Sequence, residues 1–514
     1  MDVQSTPETG GSAASPGAGT SVHFGFENTY ARLPERFYAR LDPTPVTKPR
    51  LIKLNAELAQ QLGLDPVALA SEEGVQILAG NRVAAGSEPL AQAYAGHQFG
   101  HFVPQLGDGR ANLLGEVKGR DGNRYDIQLK GSGRTAFSRG GDGRAALGPV
   151  LREYIVSESM AALGVRTTRA LAAVTTGDSV IREAVLPGAI LTRVAASHMR
   201  VGTFEYFAAR RDTDALRDLA NYAIARHYPH AAEAEQPYRF LLDGVIAAHA
   251  RLVAQWMLLG FVHGVMNTDN TSISGETIDY GPCAFMEAYD PATVFSSIDR
   301  QGRYAYQNQP GIALWNLTRF AETLLPLLEI ESGSQEAGLA SAKDALEQFS
   351  SQHLASHQDG MRRKLGLFTQ MENDVDLAQD LLDRMAANRA DFTLTFRHLC
   401  RAAVEPEANT EVRALFADPA AYDGWETRWR SRVASESVST EERLHSMRNA
   451  NPAFIPRNHR VEAAINAAVN RDDFKPFEEL VDILAHPFEE RPGAEHYALP
   501  AKASEKVLYT FCGT

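Results

Sequence analysis

His263-Gly-Val-Met-Asn-Thr-Asp269-Asn270, followed nine residues later by Asp279-Tyr-Gly281, is the stretch on which the reading of this chain turns. A carboxylate, an amide and a second carboxylate fall within eleven positions. Between them Thr-Ser-Ile-Ser-Gly-Glu-Thr-Ile (271–278) reads as two short strands about Gly275. Such a hairpin would return Asp279 to Asp269 and Asn270. Asn and Asp oxygens are hard donors suited to Mg²⁺, which keeps several waters and takes only one or two protein carboxylates. Upstream, residues 238–260 read as a long helix that delivers the chain to this loop. The plainer alternative is a polar loop after an apolar helix, with an ordinary turn at Asp-Tyr-Gly.

The residues before this stretch bear on the choice. Tyr94-Ala-Gly-His97-Gln-Phe-Gly-His101 and Gln105-Leu-Gly107-Asp-Gly109-Arg110 are rich in glycine and histidine. Gly107 and Gly109 let the backbone approach a ligand, and their N–H groups suit phosphate oxygens. Arg110 adds a planar cation, although Gly-x-Gly-Arg alone is equally a tight turn. Two strands follow, Leu113–Val117 and Tyr125–Lys130, joined at Arg120-Asp-Gly-Asn. Lys130 ends its strand and points either to solvent or into a cleft. Gly131-Ser-Gly133 and Arg139-Gly-Gly-Asp142-Gly143-Arg144 offer flexible amides and arginines that could surround a polyphosphate; the alternative is a linker.

Pro149 opens a helix that runs to Leu163 and closes at Gly164. Glu153 near its first turn is favourable against the helix dipole without any further role. A strand lysine followed by a helix glutamate is also the ion pair with which kinases orient lysine toward phosphates. Strands are expected at Arg169–Thr175, Ser179–Glu183 and Ala189–Ala195. Arg193 and Arg200 near this crossover are either surface arginines or phosphate contacts. Long helix, loop, short hairpin and Asp-aromatic-Gly then come in the order of a kinase catalytic loop and metal loop.

Composition sets bounds. The 514 residues, 44% of them hydrophobic, imply more than one domain or lobe with ordinary cores. A net charge of −13 argues against general nucleic-acid binding. The three cysteines, Cys283, Cys400 and Cys512, have no metal-binding spacing, and a reducing compartment is the simplest inference. No apolar run of membrane-spanning length is uninterrupted; Phe240–Leu259 is broken by Asp243, His249 and Arg251. Residues 1–20, rich in Gly, Ser, Ala, Pro and Thr, read as a disordered tail with neither secretory nor mitochondrial features, so a cytoplasmic location is expected.

Elsewhere, Leu51–Leu62 reads as a short helix closed by Gly63, within a region that reads as an extension packed on the neighbouring lobe. Residues 203–260 are expected to be mostly helical, 283–309 a long loop, and Ile312–Leu328 and Val375–Phe396 helices. Asn451-Pro-Ala-Phe-Ile-Pro-Arg-Asn-His-Arg460 is a distinctive extended segment before a further helix.

Together these segments resemble the selenoprotein O family, also called SelO or YdiU, of protein adenylyltransferases, over nearly the whole chain from about residue 25. The most specific pieces are Tyr94–Gly100, Leu129–Gly133, Gly141–Arg144, His263–Asn270, Asp279–Pro282 and Asn451–His459. The resemblance implies an α+β, protein-kinase-like bilobal fold with a mostly helical C-lobe. It implies ATP bound in a flipped orientation and AMP transferred to Ser, Thr or Tyr hydroxyls of proteins, redox proteins among them. Under it, Asp269 is the base, Lys130 pairs with Glu153, and Asn270 and Asp279 hold Mg²⁺, with Mn²⁺ as an alternative. Gly107, Gly109, Arg110, Lys130, Asp142, Gly143, Arg193 and Arg200 contact the nucleotide. Cys512 stands where animal members carry selenocysteine. Some bacterial members link this cysteine to the loop after the metal site, where this chain has Val294-Phe-Ser-Ser297 and only Cys283 nearby.

The sequence departs from ordinary kinases, in which the catalytic Asp and metal-binding Asn are several residues apart after His-Arg. Here Asp269 and Asn270 adjoin, and no His-Arg-Asp exists. Competing readings are γ-phosphate transfer, an inactive nucleotide-binding scaffold, and UMP transfer from UTP. The expected organisation is a tail at 1–21, an extension at 22–90, an N-lobe at 91–195, a helical C-lobe at 196–400 and a helical extension at 401–514. A monomer that binds neither nucleic acid nor membrane is expected.

Overall fold

The computed structural model describes residues 21–511. The expected tail at 1–20 and Cys512 lie outside the described residues. Within them the chain is α+β: an antiparallel sheet built from its first part, then helices.

Arg124–Lys130 runs through the middle of the sheet, between Ala111–Lys118 and Val185–Ala195. Its alternation decides what faces where, because successive strand residues point to opposite sides. Ile127 and Leu129 enter an apolar cluster with Leu58, Leu62, Leu114 and Ile190. Asp126, Gln128 and Lys130 share the other face. Burying Asp126 requires partners: Arg226 donates to it at 2.7 Å and the His198 amide at 2.8 Å. Outward from Val185–Ala195 lie Arg169–Ile181 and Arg50–Leu54; outward from Ala111–Lys118 lie Leu90–Gln92 and Tyr38–Arg40. Ala145–Ala146 also pairs with Val185–Ala195.

Several elements differ from expectation. Residues 22–90 do not merely pack on the sheet: Tyr38–Arg40 and Arg50–Leu54 are strands of it. The helix expected at Leu51–Leu62 is therefore half strand. Pairing with Arg169–Ile181 overrides local helix propensity up to Leu54, and Asn55, accepting from the Leu58 N–H at 3.0 Å, caps the shorter helix Ala56–Gln61. The two strands expected at 169–183 are one, Arg169–Ile181, with Gly177 at φ +77° inside it. Val375–Phe396 is two helices, Asp374–Asn388 and Phe392–Ala402. Arg389 turns left-handed at φ +54°, and Asp391 caps the second by accepting from the Leu394 N–H at 2.8 Å.

The helix Leu147–Ala162 lies on the sheet through Val150, Leu151, Tyr154 and Ile155. Its outer side is covered by Asn458–Arg471 and Lys475–Leu484, whose Val461, Phe477 and Leu480 join the same cluster. Burial of one such side chain contributes about 1.5–3 kcal/mol. Pro237–Leu259 packs against Gln335–Lys364 and Gln309–Ser332, which also pack on each other, and stops at Gly260, which is left-handed at φ +69°. Among the described residues, no helix is long and apolar enough to cross a membrane.

Candidate active site

The end of Pro237–Leu259 fixes where the next loop begins. After Gly260, Phe261–Val262 pairs with Ala284–Phe285, closing the segment 263–283 into a loop. Buried His263 spans it, its Nε2 lying 3.0 Å from the Ile278 carbonyl. The hairpin expected at 271–278 is absent. Gly275 does turn, at φ +72°, but Ser272 pairs with Arg200 and Thr277 with Thr167. Asp279 is thus placed beside Asp269 and Asn270 by neighbours on either flank, because backbone groups there find partners in other segments first.

All eleven sequence-predicted residues other than Glu153 line one cleft of about 800 Å³. Glu153 stands behind it. Lys130 Nζ lies 2.6 Å from Glu153 Oε2 and 2.5 Å from Asp279 Oδ1. Arg193 comes from the neighbouring strand, opposite Gln128, and so shares the Lys130 face. It donates to Glu153 Oε1 at 2.8 and 2.5 Å and to Asp279 Oδ1 at 3.0 Å. Burial works to raise the Glu153 carboxyl, yet Arg193 and Lys130 hold it below the usual range. Burial likewise opposes ionisation of Asp279, but Lys130, Arg193 and Arg110 hold it well below. Both carboxylates are ionised at neutral pH. Asp279 adopts φ +70°, a backbone state rare outside glycine.

The cations divide into committed and uncommitted ones. Buried Arg200 donates to Asp108 at 3.3 Å and lies 4.2 Å from the Tyr94 ring centroid. Arg193 and Arg200 are therefore already bound to protein carboxylates. Arg110 and Arg139 line the cleft and make no side-chain hydrogen bond or ion pair with a described residue. Asp142 is held by Arg182 at 2.9 Å.

The glycine loops correct a second expectation. The Gly107 N–H is donated to the Tyr94 carbonyl and the Gly109 N–H to the Gly107 carbonyl, so neither is spare for phosphate. Gly107 is glycine because a Cβ would strike Phe137, and Gly143 because one would strike the Gly133 backbone. Smallness here packs loop on loop and sets the cleft floor.

Asp269 is gripped from the hairpin Gly96–Gln98 and His101–Val103. Gln98 Nε2 donates to Asp269 Oδ2 at 3.3 Å, while Oδ1 is buried without a partner. Burial, against Gln98 and Arg200, pushes the carboxyl up to about 7. A Cβ on Gly96 would sit 2.6 Å from Asp269 Oδ1. Beside it, the His97 N–H donates to Thr268 Oγ1 at 2.7 Å, Thr268 donates to Glu205 at 2.5 Å, and His97 Nδ1 lies 2.5 Å from Glu205. Asn267 Oδ1 accepts from the Phe99 N–H at 3.1 Å and the Tyr304 hydroxyl at 2.6 Å. Sequence reasoning gave no role to Gln98, His97, Glu205, Asn267 or Asp108, although the runs Tyr94–His101, Gln105–Arg110 and His263–Asn270 contain all of them except Glu205.

Metal capacity depends on the donors. Asn270 Nδ2 donates to the Val265 carbonyl at 3.1 Å, leaving its Oδ1 unused. Asp279 uses Oδ1 for Lys130 and Arg193, leaving Oδ2. Two hard oxygens completed by water and phosphate suit Mg²⁺. Among the described residues, no group of three His, Cys, Asp or Glu side chains could hold a metal ion.

An α+β scaffold with ionised carboxylates and unpaired arginines around one cleft is that of an enzyme acting on a phosphate-bearing substrate. The chain belongs to the SelO family: the family described as Protein adenylyltransferase SelO matches residues 21–485. It is 63% identical over 494 residues to Protein nucleotidyltransferase YdiU of a Bradyrhizobium species, covering 96% of this chain and all of the relative. The protein of the same name from Bradyrhizobium diazoefficiens is 64% identical with the same coverage. That from Nitrobacter hamburgensis is 62% identical over 489 residues, 95% of this chain and 96% of the relative. The protein is thus a nucleotidyltransferase-type enzyme.

Proposed function

We propose that the protein transfers AMP from ATP to Ser, Thr or Tyr hydroxyls of other proteins, in a kinase-like cleft between an N-lobe ending near residue 195 and a helical C-lobe. The observation that carries this reading is the pair of unpaired arginines, Arg110 and Arg139, lining the same cleft as Asp269. Charge of that kind, fixed before substrate arrives, stabilises a departing pyrophosphate at no cost of reorganisation. In a flipped nucleotide the β- and γ-phosphates lie toward these arginines and the α-phosphorus toward Asp269.

The acceptor oxygen then attacks the α-phosphorus. A new P–O bond forms, the bond from the α-phosphorus to the bridging oxygen breaks, and pyrophosphate leaves. Asp269, whose buried Oδ1 is unpartnered, receives the hydroxyl proton. Lys130, held by Glu153, would donate to an α-phosphate oxygen. Asn270 and Asp279 would hold Mg²⁺ or Mn²⁺, which neutralises phosphate charge when bound.

The Lys130–Glu153 pair and Asp279-Tyr-Gly also favour a second reading, transfer of the γ-phosphate. The purified protein is incubated with Mg²⁺ and ATP labelled at the α- or γ-phosphate, with Asp279→Ala as control. Protein-bound label from α-ATP alone, absent in the variant, is expected. Label retained from γ-ATP would establish phosphotransfer instead, and UTP in place of ATP tests UMP transfer.

A further inference from the structure

The hairpin that grips Asp269 has an outer edge as well. His101 and Phe102 on its second strand are exposed. Beside it stands Trp315 of the helix Gln309–Ser332, whose ring meets the His97 ring edge-on at 5.3 Å. The Arg303 guanidinium lies 4.9 Å from the Trp315 ring centroid and that of Arg319 5.1 Å. One indole therefore carries two guanidiniums, one layer of residues away from the loop that holds Asp269.

The two differ in their commitments. Arg319 is paired with Glu322 at 2.7 Å. Arg303 forms no ion pair with a described residue, and its Nε is buried without a hydrogen-bond partner. The neighbouring acid, Asp299, is buried and accepts the backbone N–H groups of Arg303 at 2.9 Å and Tyr304 at 2.8 Å. Arg300 beside it is exposed. Arg319 is thus balanced by Glu322 and faces Glu205, which leaves the Arg303 guanidinium as the cation without a carboxylate partner among the described residues on this indole.

Its position gives this cation a use. At the Asp269 end the cleft is walled by Gln98, Phe99, Asn267 and Ile298, and Ile298 is 62% exposed at the rim. Gly100 links this wall to the guanidinium of Arg303, which a Cβ there would approach to 3.6 Å. A hydroxyl reaching Asp269 over this rim carries its flanking residues across Gly100 toward Arg303 and Trp315.

We propose that Arg303, stacked on Trp315, docks an acidic segment next to the acceptor hydroxyl, so that preferred substrate proteins present Asp or Glu beside the modified residue. The planar guanidinium fork matches a carboxylate, and stacking on the indole holds it in place before the partner arrives. This rests on the transferase reading for the location of the acceptor hydroxyl.

Two fluorescein-labelled peptides test it, one with a central Ser flanked by Glu and one with the same Ser flanked by Lys. Each is titrated into the full-length protein saturated with an ATP analogue whose α,β-bridging oxygen is replaced by methylene, and read by anisotropy. The Glu peptide should bind at least about tenfold more tightly, with the advantage shrinking as salt shortens the Debye length from about 10 Å. Arg303→Glu should abolish or invert the preference and Arg303→Gln should weaken it, both with unchanged circular dichroism. Equal affinity for the two peptides, or a preference for Glu that survives Arg303→Glu, overturns the proposal. Because binding is read without turnover, failure to transfer AMP in the labelling assay counts against the transferase reading alone.

Discussion

Lys130 Nζ lies 2.5 Å from Asp279 Oδ1, joining a strand residue to a loop residue 149 positions further along the chain. Glu153 holds the same ammonium at 2.6 Å from the other side. The lysine is thus held between two carboxylates, the buried Glu153 and the cleft-lining Asp279.

Removing that cation should cost the chemistry more than the fold. Lys130→Met keeps the length of the stem and deletes the charge, leaving Asp279 with Arg193 at 3.0 Å. AMP transfer from α-labelled ATP is expected to fall by at least about 100-fold, the usual scale for losing a preorganised donor at a reacting centre. Asp279→Asn should lose as much, together with stimulation by added Mg²⁺. An initial rate for Lys130→Met within about threefold of wild type would place the lysine outside the reaction.

The Glu205–Thr268–His97 network adjoins Asp269 without lining the cleft. Glu205→Gln keeps the shape and weakens both hydrogen bonds. Since a charge-assisted bond contributes about 1.5–3 kcal/mol, kcat should drop roughly tenfold or more while the KM for ATP stays within about twofold. A parallel rise in the KM for ATP would mean that the network shapes the nucleotide site instead.

Glu276 supplies a pH dependence that can be read from stability. Burial pushes its carboxyl up to about 7, against the Ser274 hydroxyl, the Arg166 charge and the Ala196 N–H. The folded protein therefore binds this proton more tightly than the unfolded chain does. The resulting stabilisation is full below the ordinary value of 4.5 and is lost as pH rises through about 7. Glu276→Gln, which cannot titrate, should show a smaller fall in Tm between about pH 5 and pH 8 than wild type. Parallel Tm profiles would show that the group titrates alike in both states.

The C-terminal helices brace the helix that carries Glu153. Phe477 is fully buried and meets the Tyr154 ring edge-on at 5.5 Å. Arg152, one residue before Glu153, donates to Asn458 Oδ1 at 3.2 Å and also pairs with Glu462. Phe477→Ala should destabilise the protein by about 3–5 kcal/mol, measured by urea unfolding. A loss below about 1 kcal/mol would mean that this brace contributes little to stability.

Some of this could be read from residues alone. The strand ending at Lys130, the helix closed at Gly164 and the long helix reaching residue 260 were all expected and are present. These are local effects, carried by side-chain period and backbone freedom within a few residues. The hairpin expected about Gly275 failed because Ser272 and Thr277 found better partners in Arg200 and Thr167. The strand at Arg50–Leu54 was missed for the same reason, since its stabilising neighbour begins at Arg169.

By itself, then, the sequence carried the ordered motifs whose family likeness implies the α+β class and nominates the residues of the cleft, because motif order and short-range spacing are properties of the chain alone. The tertiary structure alone decided which cations are spoken for. Arg193 and Arg200 are paired with Glu153, Asp279 and Asp108, while Arg110, Arg139 and Arg303 form no ion pair with a described residue. An arginine's role depends on which carboxylate reaches it first. That is set by packing between segments far apart in the chain, where Coulomb energy falls with distance in space and takes no account of distance in sequence.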